Sequence, residues 1–343
     1  MQRLLRTLLL IAALAVVTLA AATWQAHRYL HSPLVIPETG LEFEIAQGAS
    51  LAGISQALAE RGILEHPRLF RWYGRLSGQA TEIHAGEYRI DAGTTPVSLL
   101  QKFVNGEVQL HSFTVIEGWT FQEMLQALHR HPDIQSTIVY EDWPAVLQQL
   151  GSGYDHPEGL FLPETYRFAK GATDLDLLRQ AHGMLQAALQ EEWQARAPEL
   201  PLASPYEALI LASIIEKETG RADERARIAG VFVRRLQKRM RLQTDPTVIY
   251  GVGDEYAGNL TRRHLRTDTE YNTYTRHGLP PTPIALPGRD AIHAALNPAD
   301  GNELFFVATG TGDGSHRFSE TKEQHDEAVR EYLKRLRSGE PGE

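Results

Sequence analysis

The 343-residue sequence contains no cysteine. This absence excludes disulfide bonds, thiolate metal ligands, a cysteine nucleophile and the amino-terminal cysteine of a lipoprotein. The 14 histidines show no His-Glu-x-x-His or comparable ligand spacing, so no metal and no other cofactor is expected. The net charge is -9 and strong clusters of Lys and Arg are lacking, so nucleic acid is not an expected partner. The short basic stretches at 234–241 and 262–266 are interpreted as solvated faces.

Charged residues are also absent from one long stretch near the amino terminus, from Thr7 to His27. Its centre, residues 8–22, consists almost wholly of Leu, Ile, Val and Ala, and a bilayer core needs about 20 largely apolar residues. Arg3 and Arg6 precede the stretch, which favours a cytoplasmic amino terminus. The sequence therefore predicts a transmembrane helix that carries the rest of the chain out of the cytoplasm.

This helix sets the amino-terminal boundaries of the predicted domains. We expect a cytoplasmic segment at 1–6, a membrane anchor at 7–27 and a linker at 28–40 that prolines interrupt. Trp24 suits the far interface of the membrane. A cleaved signal peptide is the alternative, because the three alanines at 20–22 resemble a cleavage site.

Three segments after the linker share one pattern with identical offsets. They are Ile45, Gly48, Ser50, Ile54 and Leu58; Ile90, Gly93, Thr95, Leu99 and Phe103; and Val115, Gly118, Thr120, Met124 and Leu128. In each, a strand should end at the first residue, the Gly should turn the chain, and the hydroxyl residue should cap a helix with an apolar stripe. The pattern predicts three β-turn-α units, which suit a compact α+β subdomain, assigned here to 41–132. Chance similarity of three capped helices is the alternative.

The remaining region, residues 133–343, is expected to be mixed helix and loop. Residues 206–219 are apolar nearly all round until the last turn, and so predict a buried central helix. Glu218 continues one buried stripe and Glu216 continues the neighbouring one, so helical phase alone does not choose between these carboxyls. Burial of a carboxyl favours its protonated form, which is the form of an acid catalyst. Solvated charges that end the helix are the alternative.

Two polar and aromatic loops follow that helix, at 241–251 and 271–284. Amides and hydroxyls can bond to sugar hydroxyls and N-acetyl groups, and aromatic rings can cover the C–H faces of a sugar. The candidate substrate-binding residues are Gln243, Asp245, Tyr271, Asn272 and Tyr274. Asn272 is favoured because its amide can hold an N-acetyl group, whereas Asp245 can equally be a turn or cap residue and Tyr274 a core residue.

The sequence resembles the YceG-like family of endolytic murein transglycosylases, also called MltG, over nearly the whole chain. The main motifs are the Glu-Lys-Glu-Thr run at 216–219, Gln-Thr-Asp-Pro-Thr at 243–247, Tyr-Asn-Thr-Tyr at 271–274, Glu117-Gly118 and Glu158-Gly159. The resemblance implies an inner-membrane anchor, a LysM-like α+β subdomain, and a mainly helical, mixed catalytic domain in the periplasm with a lytic-transglycosylase active site. It also implies that Glu218, the second Glu of its motif, is the catalytic residue.

The activity implied by the resemblance is cleavage of the bond between N-acetylmuramic acid (MurNAc) and N-acetylglucosamine (GlcNAc) in nascent peptidoglycan strands. Such cleavage leaves 1,6-anhydro-MurNAc ends and terminates strand elongation, and penicillin-binding proteins are the implied partners. One carboxyl, that of Glu218, would serve as acid and then as base. The alternatives are a non-catalytic peptidoglycan-binding scaffold that recruits cell-wall synthases, and a muramidase, which would use two carboxylates and water.

Overall fold

The computed structural model describes residues 2–338, which form a mixed α and β chain as the sequence predicts. Met1 of the predicted cytoplasmic segment and residues 339–343 of the predicted catalytic region lie outside the described residues. The described helices and strands follow in this order: α1 (Gln2–Leu30), β1 (Leu41–Ile45), α2 (Leu51–Glu60), α3 (Pro67–Leu76), β2 (Gly86–Ile90), α4 (Pro96–Val104), β3 (Leu110–Thr114), α5 (Phe121–Arg130), α6 (Trp143–Gln149), β4 (Thr165–Ala169), α7 (Asp174–Gln194), α8 (Pro205–Glu218), α9 (Ala222–Gln237), α10 (Asp245–Val252), α11 (Arg262–Arg266), α12 (Arg289–Leu296), β5 (Phe305–Ala308), β6 (His316–Ser319) and α13 (Lys322–Ser338).

The chain folds as two compact units. Unit 1 comprises the chain up to His111 together with Arg167–Lys170, and unit 2 comprises Ser112–Tyr166 together with the chain from Gly171 onward. The strands form two-stranded sheets, β1 with β2, β3 with β4 and β5 with β6. The predicted domain boundary after residue 132 stays a prediction, since these compact units divide the chain earlier.

α1 is long and apolar, and within residues 2–338 its segment Leu5–Leu30 is the one stretch able to cross a membrane by length and composition. Its apolar side chains are exposed, for example Leu10 and Val16. An exposed apolar helix of this length suggests a single-pass membrane anchor. The helix runs three residues beyond the predicted anchor, and its last residue, Leu30, is buried in unit 1.

The three predicted β-turn-α units are confirmed at the predicted positions. Ser50, Thr95 and Thr120 each accept a hydrogen bond from the backbone N–H three residues later, and so cap α2, α4 and α5. Thr120 and Glu123 also form a capping box at the start of α5. Each preceding Gly has a positive φ, as at Gly118, where φ is 79°.

The strands of the three β-turn-α units do not belong to one sheet. β1 and β2 pair antiparallel, with Leu41 opposite Ile90, and they cover the core of unit 1. β3, the strand of the third β-turn-α unit, pairs with β4 instead. In unit 2 the predicted central helix is confirmed as α8, which packs against α7, α9 and α12. Residues 208–215 of this helix are all buried, so α8 lies in the middle of the unit 2 core.

Candidate active site

α8 is held in place by its first turn and by its buried length. The Ser204 hydroxyl accepts a hydrogen bond from the Glu207 backbone N–H at 3.3 Å, and Pro205 occupies the first helical position, where the missing N–H is tolerated. The buried residues that follow fix the helix against its neighbours. The carboxyl at its carboxyl-terminal end, Glu218, is therefore presented from a rigid element.

The Glu218 side chain is half-buried. Burial raises its pKa to about 7, and the negative charge of Asp245 acts in the same direction. The Thr244 hydroxyl donates a hydrogen bond to Glu218 Oε1, and this bond and the positive charge of Arg235 act in the opposite direction. The direction of the shift is the one expected from the position of Glu218 on the helix. A carboxyl with this pKa exists in both protonation states near neutral pH, which suits a group that gives and then takes a proton.

Glu218 lines a cavity of about 410 Å³ in unit 2. The lining residues are Glu218, Arg235, Leu242, Gln243, Asp245, Tyr274, Phe305, Phe306, Val307, Lys322, His325 and Val329. The predicted candidates Gln243, Asp245 and Tyr274 thus surround the same space as the carboxyl. Ligand sites commonly have volumes of about 300–1,000 Å³ and combine apolar walls with a few polar groups, as this cavity does.

Hydrogen bonds between two loops bring these three candidates together. The backbone N–H of Gln243 donates to the Thr273 carbonyl at 3.2 Å, and that of Thr244 donates to Thr273 Oγ1 at 3.1 Å. The Tyr274 hydroxyl donates to Asp245 Oδ1 at 2.6 Å. Gln243 itself has a φ of 52°, a left-handed conformation that is uncommon for a residue with a Cβ and is enriched at ligand sites.

Asn272, the favoured amide, does not line this cavity. Its side chain is almost fully buried, and its Nδ2 donates to the carbonyls of His264, Leu265 and Thr267 at 3.2, 3.3 and 2.7 Å. Its Oδ1 accepts from the Tyr274 backbone N–H at 2.9 Å. Both ends of the amide therefore bond to the backbone of its own loop. This geometry favours a role in shaping that loop over the predicted contact with substrate.

Tyr271 also lies outside the residues that line the cavity. Its hydroxyl pairs with Thr282 Oγ1 at 2.8 Å, and its ring packs edge-on against Tyr250, with ring centroids 4.9 Å apart. Both contacts are within unit 2. They tie the start of the Tyr-Asn-Thr-Tyr loop to its surroundings, while the end of the same loop, Tyr274, reaches the cavity.

Arg235 was missed by the sequence analysis, and the expectation that residues 234–241 form a solvated face is wrong for it. Only 7% of Arg235 is exposed. Its Nε donates to the Leu304 carbonyl at 2.6 Å and one terminal nitrogen donates to the Leu242 carbonyl at 2.7 Å. Its burial could have been predicted from the sequence, because Arg235 lies four residues after Val231 and so continues a buried stripe of α9.

The far wall of the cavity comes from the carboxyl-terminal part of the chain. β5 contributes Phe305, and α13 contributes Lys322 and His325. The imidazole of His325 stacks on Phe305 with ring centroids 5.2 Å apart, and burial lowers its pKa. Its Nδ1 is buried and has no hydrogen-bond partner among residues 2–338. The sequence does not place these side chains beside Glu218, because they are remote from it along the chain.

Glu216 and Lys217, whose roles the sequence leaves open, contact other parts of unit 2. Glu216 Oε2 accepts a hydrogen bond from the Gly288 backbone N–H at 3.0 Å. Lys217 Nζ donates to the Gly118 carbonyl at 3.1 Å. Neither side chain lines the cavity, so of the two carboxyls in the Glu-Lys-Glu-Thr motif only that of Glu218 does.

Glu158 is a second carboxyl whose pKa burial raises to about 7. Its two oxygens accept hydrogen bonds from the Phe121 backbone N–H at 2.9 Å and from the Tyr250 hydroxyl at 3.0 Å. It does not line the cavity, and its bonds hold the first turn of α5. Across residues 2–338, no three His, Asp or Glu side chains are grouped in a way that could hold a metal ion.

Comparison with known proteins gives a consistent result over most of the chain. A family model described as YceG-like matches residues 43–331. The chain is similar to the endolytic murein transglycosylase of Bacillus subtilis, at 28% identity over 86% of each protein. It is 26% identical to the endolytic murein transglycosylase of Streptococcus pneumoniae D39, over 84% of this chain and 58% of that one. A crystal structure of a YceG-like protein from Listeria monocytogenes matches with a TM-score of 0.53 and 26% identity, over 85% of this chain and 99% of that one.

Proposed function

The chain belongs to the YceG-like family, and from this premise we propose that it is an endolytic murein transglycosylase, a lyase that cuts peptidoglycan glycan strands internally. The observation that carries the proposal is the Glu218 carboxyl, whose pKa of about 7 lets it serve as acid and base at the edge of a polar and aromatic cavity. The substrate bond is the one between MurNAc and GlcNAc. The product has a 1,6-anhydro-MurNAc end.

The proposed reaction moves one proton away from Glu218 and back again. The protonated carboxyl donates its proton to the oxygen that bridges MurNAc C1 and the GlcNAc ring, and the C1–O bond breaks with positive charge developing at C1. The resulting carboxylate then accepts the proton of the C6 hydroxyl on the same MurNAc. The C6 oxygen closes on C1, so the sugar is released without consumption of water and Glu218 is protonated again.

The residues around the carboxyl support both halves of this cycle. The Thr244 hydroxyl and the charge of Arg235 stabilise the ionised carboxylate that forms after the first proton transfer. Asp245 lines the same cavity, and its negative charge would stabilise the positive charge at C1. Gln243 and Tyr274 are the proposed contacts for the sugar. Tyr271 and Asn272 act on substrate, in this proposal, through the loop that ends in Tyr274.

A muramidase is the second candidate function, and the position of Asp245 is the observation that favours it. Retaining and inverting glycosidases use two carboxyl groups near the scissile bond, and Glu218 and Asp245 both line the cavity. In that reaction Asp245 would act as nucleophile or as the base for water. The product would then carry a reducing MurNAc end with an oxygen atom from solvent, which distinguishes it from the anhydro product.

The cellular setting is also a proposal. α1 would anchor the chain in the bacterial inner membrane with its amino terminus in the cytoplasm and its catalytic region in the periplasm, since arginines precede the apolar run. From there the enzyme would cut nascent strands and so end their elongation, beside penicillin-binding proteins. A LysM-like subdomain built from the first β-turn-α units would contact the glycan.

The test is product analysis of the full chain in detergent, with uncrosslinked glycan strands in ¹⁸O-labelled water. Wild type should release anhydro-MurNAc ends that lack ¹⁸O, and Glu218→Gln should lower the rate by about 10²–10⁴-fold, the usual contribution of a general acid–base group. Glu216→Gln is the matched control, because an amide oxygen can still accept the Gly288 N–H; it should retain most activity. Reducing ends with ¹⁸O would establish the muramidase. Equal amounts of product from wild type and Glu218→Gln would contradict catalysis by Glu218 and would favour the non-catalytic scaffold.

A further inference from the structure

α3 in unit 1 presents an exposed face that mixes large apolar and basic side chains. Trp72 is 66% exposed and Leu76 is 81% exposed. Arg68 and Arg75 lie on the same side of the helix, because positions 68, 72, 75 and 76 recur at three- and four-residue steps. The opposite side holds α3 on the core of unit 1, where Phe70 is fully buried. The exposed residues Arg68, Trp72, Arg75 and Leu76, together with the half-buried Arg71 at their edge, are called the α3 face below.

The charge of α3 itself is of one sign. The helix carries Arg68, Arg71 and Arg75 and no acidic residue. Within the part of the chain that the structure describes, none of these three side chains makes an ion pair or a hydrogen bond. Unpaired basic residues beside an exposed Trp and Leu are typical of helices that lie in a membrane interface, where apolar groups enter the lipid and basic groups meet phosphates.

The start of α3 lies against the end of the proposed membrane anchor. The His66 backbone N–H, just before α3, donates to the Tyr29 hydroxyl of α1 at 3.2 Å, and the two rings are 4.8 Å apart. A cavity of about 730 Å³ separates the two helices further along, with Trp24 and Arg28 of α1 on one side and His66 and Leu69 on the other. α3 therefore begins at the level of α1 residues 24–29.

The length of α1 places those residues at the surface of a bilayer. The apolar stretch Leu5–Leu30 has 26 residues, and at 1.5 Å per residue it is about 39 Å long. This is about 9 Å more than the hydrocarbon core of a bilayer, so about six residues extend into the headgroup region. Trp24 and Arg28, whose guanidinium lies 5.5 Å from the Trp24 ring, are residue types that favour this region.

We propose that the α3 face lies on the membrane surface and binds anionic phospholipid headgroups, so that unit 1 has a second membrane contact beside its anchor. Trp72 and Leu76 enter the boundary between headgroups and acyl chains, and the three arginines bind lipid phosphates. The proposal rests on α1 as a membrane anchor and is independent of the chemistry at Glu218. Each arginine near an anionic surface contributes about fivefold to the docking equilibrium, so the three together contribute on the order of 100-fold.

The absence of native cysteine allows a direct test in the full chain. Leu76→Cys would be labelled with an environment-sensitive fluorophore, and the chain placed in nanodiscs of anionic or of zwitterionic phospholipid that contain nitroxide-labelled lipid. We expect blue-shifted emission and strong quenching in the anionic discs. Adding Arg68→Gln, Arg71→Gln and Arg75→Gln should remove both effects. Glu42→Cys, an exposed position on the outer side of β1, is the matched control and should report a polar, unquenched label.

Two results would overturn the proposal. The Leu76 label could stay as polar and unquenched in anionic discs as the Glu42 label, which would leave the α3 face in water. Alternatively, the Leu76 emission could shift without quenching by lipid and independently of lipid charge, which would place a protein surface, such as a second copy of the chain, on the α3 face.

Discussion

Replacement of Thr244 by valine should raise the pKa of Glu218 and extend activity to higher pH. The Thr244 hydroxyl donates to Glu218 Oε1, and this bond holds the pKa of the carboxyl below the value that burial alone would give. A hydrogen bond to a charged group contributes about 1.5–3 kcal/mol, and one to a neutral group about 0.5–1.5 kcal/mol. The difference, roughly 1–1.5 kcal/mol, is the preference of the bond for the ionised carboxylate. Because one pKa unit corresponds to about 1.4 kcal/mol, Thr244→Val should raise the pKa by about one unit.

The assay is the pH dependence of kcat/KM for release of anhydro-ended products from uncrosslinked glycan. This parameter reports the ionisation of the free enzyme. If Glu218 must be protonated to act as the acid, kcat/KM falls as the pH rises through the pKa of Glu218, which is about 7 in the wild type. In Thr244→Val the same fall should be centred near pH 8, about one unit higher. The height of the plateau should drop as well, since the variant no longer stabilises the carboxylate that forms during bond cleavage.

Thr247→Val is the matched control. Thr247 is also a fully buried threonine at the start of α10, but its hydroxyl donates to the Thr244 carbonyl at 2.8 Å and does not bond to Glu218. Its pH profile should keep the wild-type midpoint even where its stability is reduced. An unchanged midpoint in Thr244→Val, or an equal displacement in both variants, would refute the assignment of the alkaline limb to the Glu218 carboxyl and its hydroxyl partner.

Three further predictions concern the stability of the folded chain. The pKa of Glu218 is raised in the folded chain above the ordinary value of 4.5, so wild-type stability should fall as pH rises from about 4.5 to about 7. Because Glu218→Gln cannot ionise, its unfolding free energy should exceed that of the wild type by up to about 3 kcal/mol at pH 8 and by much less at pH 5. Denaturant titration at both pH values measures this, and an equal gain at each would contradict it. Asn272→Ala should lose about 2–4 kcal/mol of stability because several buried hydrogen bonds disappear together; a higher KM with an unchanged denaturation midpoint would instead indicate substrate contact. Gly159→Ala should lower the unfolding free energy by more than about 2 kcal/mol, since φ is 78° and the new Cβ would lie 2.4 Å from Pro283 Cβ. Gly183→Ala in α7 is the control: its new Cβ would have nothing within 4 Å, and the unfolding free energy should rise by up to about 1 kcal/mol. Equal thermal midpoints of the two variants would refute the steric argument.

Local structure was largely predictable from the sequence, because the forces that set it act between neighbours in the chain. The hydroxyl caps at Ser50, Thr95 and Thr120 and the turn glycines before them require only a few consecutive residues, and all three β-turn-α units form where they were expected. The apolar run before Glu218 in the same way predicts a buried helix. The resemblance to a family is what distinguishes Glu218 from Glu216 in the sequence, and of the two side chains only that of Glu218 lines the cavity.

Tertiary packing decided which polar side chains of the loops reach the cavity. Tyr271, Asn272 and Tyr274 are neighbours in sequence, yet only Tyr274 lines the cavity, because the amide of Asn272 bonds to three carbonyls of its own loop and the Tyr271 hydroxyl bonds to Thr282. Loop residues have no fixed periodicity, so the direction of each side chain depends on which partners the fold brings near. The sequence contains those partners but does not reveal their distances.

The amino-acid sequence by itself determined the anchor helix, the three capped units and the buried helix that ends at Glu218, since hydrophobic periodicity and capping are read from residues a few positions apart. Only the tertiary structure decided that Arg235 is buried beside the Glu218 cavity and that His325 forms part of its wall. Those residues are separated from Glu218 by 17 and 107 positions. The pKa of Glu218 follows from this assembly, because burial and neighbouring charges exist only once the distant segments have packed together.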